Sequence, residues 1–439
     1  MLTGGVFSSI FLFSLPIIIG NFFLQLYVTV DAIIVGRFLG PQSLAAVSVA
    51  SPILFVVVFF LYGGCTGISV LIAQEFGSGD KKSLHETVAT SLLFGCGFTL
   101  ALTAACLLGA RSVLVWTKAP LELHDETMAY LNIVFTGLIF SFLYNYFASA
   151  LRGIGNSRVP FVFQVIASCL HVAMNLFFVG QCGLGVRGSA LATVLSQLAS
   201  SAACLVYIYR REPMLALHRG DFRITPRALR ATISYSWAAA LQSIIVYVGR
   251  FLTQGCVNPL GAARVAGYNA ATRVENVTMM AYEGVGVALS TFIAQNLGAG
   301  HGERVRSGLK TALTMAMSYT TVAALAVYAF APQIMSMFVS SGAGGEVISA
   351  GVSYLRPMCI YLMLSNVDAI MQYFFRGLGE FRTVMFVSLS QIVLRVILSF
   401  LFVPRWGVPA IAHSTAVGWL MIFFVLSWLV HRHFKRTAC

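Results

Sequence analysis

Four carboxylates lie in stretches of this 439-residue chain that carry little other charge: Asp31, Glu275, Glu283 and Asp368. An ionisable side chain at bilayer depth costs roughly 2.5 to 3.5 kcal/mol on insertion scales, so a residue kept there is a candidate for function. Withdrawal from water favours the neutral form of a carboxylic acid, which suits such a group to take up and release a proton or a small cation. The competing reading is an ion pair: Asp31 with Arg37, Glu275 or Glu283 with Arg250, Arg273 or Arg395, and Asp368 with Arg395. Asp31 precedes Arg37 by six residues, roughly 9 Å along a helix at 1.5 Å per residue. Glu275 and Glu283, eight residues apart, lie on related faces of one helix.

The elements that must hold these acids are apolar and long. Hydrophobic residues make up 58% of the chain and charged ones only 10%, with a mean hydropathy of +0.84; a soluble protein carries about 25% charged residues. A water-soluble enzyme is thereby excluded. Residues 1–30, 38–74, 87–110, 127–151, 159–186 and 188–209 contain no Asp, Glu, Lys or Arg, and a helix crosses a bilayer core in about 20 apolar residues. Six spans follow, and six more are expected near 231–257, 265–295, 308–331, 350–375, 382–404 and 406–430. The first apolar stretch runs without a polar break to about Val35 and reads as a span, not a cleavable leader.

Charge orients the spans. Of 28 basic residues, eighteen fall at even-numbered connections or the C-terminus, among them Lys81, Lys82, Arg152, Arg158, Arg304, Arg306, Arg376, Arg432 and six arginines between 210 and 230. The positive-inside bias then places both termini and the 210–230 connection in the cytoplasm. The net charge of +13 records topology, and no nucleic-acid partner is expected. Seven of the nine cysteines lie inside apolar runs and no CxxC occurs, so neither a disulfide framework nor a metal centre is expected. His171 and His413 are lone histidines in apolar surroundings, read as hydrogen-bonded core residues.

The two halves repeat at an offset of about 222. Ile72-Ala73-Gln74 corresponds to Ile293-Ala294-Gln295, Leu151-Arg152-Gly153-Ile154-Gly155 to Phe375-Arg376-Gly377-Leu378-Gly379, and Gly185-Val186 to Gly407-Val408. Each repeat holds an even number of spans, so both enter the membrane in the same sense. The expected organisation is a lobe over 1–209, a cytoplasmic linker over 210–230 and a second lobe over 231–439. None of the four acids is duplicated: Asp31 aligns with Leu252, Glu275 with Leu54, Glu283 with Tyr62 and Asp368 with Tyr144.

Leu15-Pro16, Leu26-Tyr27, Val30-Asp31, Val35-Gly36-Arg37-Phe38-Leu39-Gly40, Ala294-Gln295-Asn296-Leu297-Gly298-Ala299-Gly300 and both Arg-Gly-x-Gly turns together resemble the multidrug and toxic compound extrusion family, most of all its bacterial DinF-like branch. The resemblance implies an all-α integral membrane protein, twelve transmembrane helices in two parallel-repeat six-helix lobes around a central cleft. It implies antiport of cationic or amphipathic small molecules against H⁺ or Na⁺ by alternating access, in a bacterial cytoplasmic membrane, with no cofactor. By the family pattern the coupling-cation site is Asp31 with Asn175 and Thr193, and Val179 stands where a second acid is usual. Gln242 is nearest to a second-lobe acid of other members, so Gln242, Glu275, Glu283 and Asp368 form a candidate second-lobe cation or substrate set. A monomer in the bilayer is expected.

Two other readings remain open at the level of sequence. One is a flippase or exporter of a lipid-linked or amphipathic metabolite, for which Arg250, Arg273, Arg356 and Arg395 would supply positive charge. The other is a membrane-embedded enzyme or receptor, for which no nucleophile motif or metal cluster is present.

Overall fold

The computed structural model describes residues 1–338 and 344–437. Every long element is a helix: α1 Val6–Ser78, α2 Lys81–Trp116, α3 His124–Thr136, α4 Leu138–Gly153, α5 Arg158–Asn175, α6 Val186–Arg211, α7 Pro226–Val257, α8 Ala262–Gly298, α9 Gly302–Ala329, the short α10 Ala331–Ser336, α11 Gly344–Gly377, α12 Phe381–Trp406 and α13 Pro409–Thr437. In hydrocarbon a helix satisfies its own backbone polar groups, which is why apolar segments of this length adopt it.

Three expected spans are built differently from their sequence outline. The first two follow one another as α1 with no loop between them, two helices joined across a kink at Gly40, where φ is 82° and ψ −175°. Glycine takes that left-handed conformation without a Cβ penalty. The expected fourth span is split at Gly137 into α3 and α4, bent by 45°. As a result ten helices among the described residues are long and apolar enough to cross a membrane, or eleven with the bent pair counted as one, where twelve separate spans were expected.

The chain divides into two compact units, Met1–Ile18 with Leu241–Cys439, and Ile19–Ala240. The core of the second includes Ile72, Leu84, Leu131, Phe135 and Tyr146, and the Tyr146 hydroxyl donates to the Val88 carbonyl at 2.6 Å. The first is centred on Phe292, Ile293, Tyr354, Phe374 and Phe375 and takes in Ile10 and Phe13 from the start of α1. Arg304 fastens that start, donating to the carbonyls of Met1 at 3.1 Å and Gly4 at 3.0 Å.

The repeat reappears as one contact made in each unit. A Cβ on Gly153 would lie 2.8 Å from Ile72 Cγ2 and 2.9 Å from the Ser69 carbonyl oxygen. One on Gly377 would lie 2.7 Å from Ile293 Cβ and 2.8 Å from the Ser290 carbonyl oxygen. Ile72 and Ile293, like Ser69 and Ser290, are repeat mates. In both units the glycine of the Arg-Gly-x-Gly turn thus lets its helix rest on the backbone near the Ile-Ala-Gln end.

A methyl group added there meets a carbonyl that cannot yield, and overpacking of this kind costs about 1–3 kcal/mol. Gly153→Ala and Gly377→Ala are each expected to lower the melting temperature of the purified protein. Gly97→Ala, whose Cβ meets nothing within 4 Å, is expected to leave it unchanged or raise it. Equal melting of all three variants would remove the role assigned to this contact.

Candidate functional site

In the unit Ile19–Ala240, α1, α5 and α6 converge on Asp31. Its Oδ1 accepts from Asn175 Nδ2 at 2.5 Å and from Ser189 Oγ at 3.3 Å. His171 Nε2 lies 3.7 Å from the same oxygen and 3.1 Å from Thr193 Oγ1. The Thr193 hydroxyl in turn donates to the Ser189 carbonyl at 3.1 Å. The Tyr27 ring meets the His171 ring edge-on with centroids 4.6 Å apart. The Asp31 side chain keeps 18% of its surface exposed while His171 is closed off at 1%, so the carboxylate is open to an ion, as are the half-buried Tyr27 and Thr193, and His171, Asn175 and Ser189 are not.

Local backbone geometry places Asn175. α5 ends on this residue, and the next six, Leu176–Gln181, form a π-helical turn closed by the Cys182 N–H on the Phe177 carbonyl at 3.0 Å. Single π-helical turns of this kind are frequent at functional sites. Val179, in the position of the missing second acid, lies in this turn and is buried. Asn175 Oδ1 and His171 Nδ1 are both buried without a hydrogen-bond partner. The cluster therefore offers a carboxylate, an unengaged amide oxygen and two hydroxyls, a set of oxygen donors suited to a proton or a hard cation.

The sequence-derived set is only partly assembled here. Asp31 and Asn175 touch, whereas Thr193 reaches Asp31 through His171 and the backbone of Ser189. The competing Asp31–Arg37 ion pair is absent among the described residues. His171 is a buried histidine hydrogen-bonded to Thr193, as the sequence suggests, and it also neighbours the carboxylate; Ser189 is an additional member of the cluster. Helical spacing carries the signal that finds them: Tyr27 and Asp31, His171 and Asn175, and Ser189 and Thr193 are each four residues apart and so share a face.

The candidates in the other unit do not form one cluster. Gln242 Nε2 donates to Ser388 Oγ at 2.9 Å and to Gln372 Oε1 at 3.2 Å, and its Oε1 accepts from Arg376 Nη2 at 2.9 Å. The Arg376 guanidinium also lies 4.7 Å over the Tyr373 ring. Glu275 accepts from the Tyr354 hydroxyl at 2.7 Å, and Glu283 lies in the field of Arg250 and Arg376. Asp368 is buried, and neither of its oxygens has a hydrogen-bond partner. No hydrogen bond or ion pair joins Gln242, Glu275, Glu283 and Asp368 to one another among the described residues, nor does Asp368 pair with Arg395.

Comparison with known proteins places this arrangement in context. A family model described as MatE matches residues 16–177 and 238–401, two stretches that start one repeat length apart. The chain is 27% identical over 342 residues to the probable multidrug resistance protein YoeA of Bacillus subtilis, covering 76% of this chain and 74% of that one. It is 24% identical over 420 residues to the probable multidrug resistance protein YpnP of the same organism, covering 95% and 93%. It is also 25% identical over 337 residues to a FAD transporter of Shewanella oneidensis, covering 74% and 73%. The fold matches a multidrug resistance MATE family transporter in an outward-facing conformation with a TM-score of 0.92 at 22% identity, covering 100% of this chain and 98% of that one. A MOP superfamily transporter from Pyrococcus furiosus matches with a TM-score of 0.91 at 21% identity, covering 99% and 97%.

The Gln242 network yields a stability test. Gln242→Leu removes the acceptor of Arg376 Nη2, while Ser388 Oγ and Gln372 Oε1 keep their own bond at 3.1 Å, and a buried polar group left unpaired costs about 1–3 kcal/mol. Gln242→Glu keeps an acceptor for Arg376 and is expected to melt close to the parent protein, well above Gln242→Leu. Similar losses from both variants would show that the amide is held by packing alone.

Proposed function

The chain belongs to the MatE family and is a multi-span membrane transporter, not an enzyme, and on that footing we propose that it is a secondary-active antiporter exporting cationic or amphipathic small molecules in exchange for H⁺ or Na⁺. The observation that carries the proposal is the reachable carboxylate of Asp31 held by donors from two other helices. Asn175 and Ser189 stabilise the charged carboxylate through charge-assisted hydrogen bonds. Arrival of a proton neutralises Asp31 and weakens those bonds, which loosens α1 from α5 and α6, whereas Na⁺ would bridge the same helices; either ion changes how α1 is held. Na⁺ as cargo would find oxygen ligands in Asp31, Asn175 Oδ1, Ser189 and Thr193. The ion drives export because it binds one conformation better than the other, and substrate and ion oppose each other through that linked equilibrium.

The same proposal fixes the topology. At 1.5 Å per residue α1 is about 110 Å long, more than one bilayer core can hold, and the break at Gly40 divides it into two crossings. Counting those two and the α3–α4 pair as a single span gives twelve transmembrane helices, with both termini and the 210–230 segment in the cytoplasm of a bacterial cell and the protein acting as a monomer in its inner membrane. The lobes 1–209 and 231–439 would move as two bodies, and Gln242, Glu275, Glu283 and Asp368 would supply a second-lobe cation or substrate set.

A second reading, export of an amphipathic anionic metabolite, is favoured by Arg376 Nε and Arg395 Nε, both buried without a partner, and by the relative whose name is FAD transporter.

Proteoliposomes with pH and Na⁺ gradients imposed separately test both readings. The parent protein is expected to move a fluorescent organic cation under at least one gradient, and Asp31→Asn to lose that response while still binding the cation. Full gradient-driven export by Asp31→Asn would overturn the role of Asp31. Export of FAD but not of the organic cation would replace the first reading with the second.

A further inference from the structure

The unit Ile19–Ala240 contains a cavity that shares no residue with the Asp31 cluster. It lies between α1, α2, α4 and the first turns of α7, and Phe60, Phe94, Phe98, Phe142 and Trp237 line it. The Phe60 ring lies 5.6 Å from Phe98 and meets Trp237 edge-on at 5.9 Å. The free space is about 70 Å³, far below the roughly 300 Å³ at which drug-sized sites begin. A stretch of acyl chain fits that volume; a whole efflux substrate does not.

Three features set this cavity apart from a packing defect. The hydroxyls of Thr99 and Ser236 line it, and both oxygens are buried without a hydrogen-bond partner. Ser236 belongs to the helix that carries the open rim, so a ligand entering there can supply the acceptor its hydroxyl lacks. The rim is open, with Ile233 42% and Trp237 53% exposed. Finally, Arg230 is exposed and precedes Ile233 by three residues and Trp237 by seven, which places it on the same helix face as the rim. The basic segment is fastened beside the cavity, since Thr90 of α2 donates to the Arg223 carbonyl at 3.3 Å, one turn before Phe94.

We infer that this is a binding site for an anionic glycerophospholipid from the leaflet on the side of the 210–230 segment. The phosphate meets Arg230, an acyl ester carbonyl accepts from Ser236 about 9 Å further along α7 at 1.5 Å per residue, and the acyl chain enters between the phenylalanine rings. Charge, hydrogen-bond donors and apolar space follow one another along the helix in the order of headgroup, ester and chain. The site depends on neither the coupling ion nor the exported substrate.

Trp237 reports its occupancy. The protein and its Trp237→Phe variant are placed in phosphatidylcholine nanodiscs containing a minor fraction of either phosphatidylglycerol or phosphatidylcholine brominated in the acyl chains. The fluorescence difference between the two proteins isolates Trp237. Quenching is expected to favour phosphatidylglycerol about fivefold, the factor that one arginine near an anionic surface contributes. Arg230→Gln should abolish that preference. Gly64→Leu, where the nearest atom to an added Cβ is Ser236 Cβ at 3.9 Å, fills the cavity and should reduce quenching by both lipids with an unchanged melting temperature. Equal quenching by the two lipids in the parent protein would overturn the site, as would selectivity that survives Arg230→Gln. The Arg230→Gln result decides the matter if Gly64→Leu proves unstable.

Discussion

Polar groups in this molecule have almost no water to turn to, and each must find its partner inside the protein. The backbone meets that requirement with helices. Many buried hydroxyls meet it within their own helix: Ser200 donates to the Ser196 carbonyl at 2.7 Å, Ser414 to Ala410 at 2.7 Å and Thr415 to Ile411 at 2.7 Å. Against that background a side chain whose partner lies on another helix, or that has none, is informative. Asp31 draws donors from α5 and α6, Gln242 ties α7 to α11 and α12, and Thr99 faces a cavity. The functional readings all rest on such exceptions.

Duplication supplied the scaffold and divergence the chemistry. Gly153 and Gly377 make the same close approach in both units, and Thr193 and its mate Thr415 both donate to the carbonyl four residues before. Around the carboxylate the correspondence ends. Asp31 has Leu252 as its mate, and Ser189, which reaches Asp31, has Ile411. Packing contacts constrain size and backbone approach equally in both halves, whereas each intramembrane acid is costly and none of the four is kept at its mate position.

How far the sequence discloses this depends on the range of each interaction. Charge-free stretches locate the spans because insertion cost is a local, additive property of about 20 residues. The breaks at Gly40 and Gly137 are hidden because the helix resumes at once and no polar loop marks them. Asp31 is conspicuous through its cost, while His171 and Ser189 become legible only when residues four apart are read as one face. Contacts between distant segments leave no local trace: Glu275 is held by Tyr354, 79 residues away, and not by any of the arginines its surroundings suggested. The unpaired state of Asp368 is equally invisible, because Arg395 stands close enough in the chain to have offered a partner.

The energetics explain why one carboxylate suffices in the proposed antiport. Moving a two-state equilibrium from 1:99 to 99:1 takes about 5.5 kcal/mol of differential binding. A hydrogen bond to a charged group contributes about 1.5–3 kcal/mol, and Asp31 accepts two, from Asn175 and Ser189. A neutral carboxyl still accepts bonds of about 0.5–1.5 kcal/mol, so neutralisation weakens the hold of α1 on its neighbours by about 2–3 kcal/mol, roughly half of what the full switch requires and a large enough bias to couple ion and conformation. A second equivalent site would add cost in an apolar medium without being needed for that coupling. This accounts for a repeat that preserves its glycine contacts on both sides and its coupling chemistry on one.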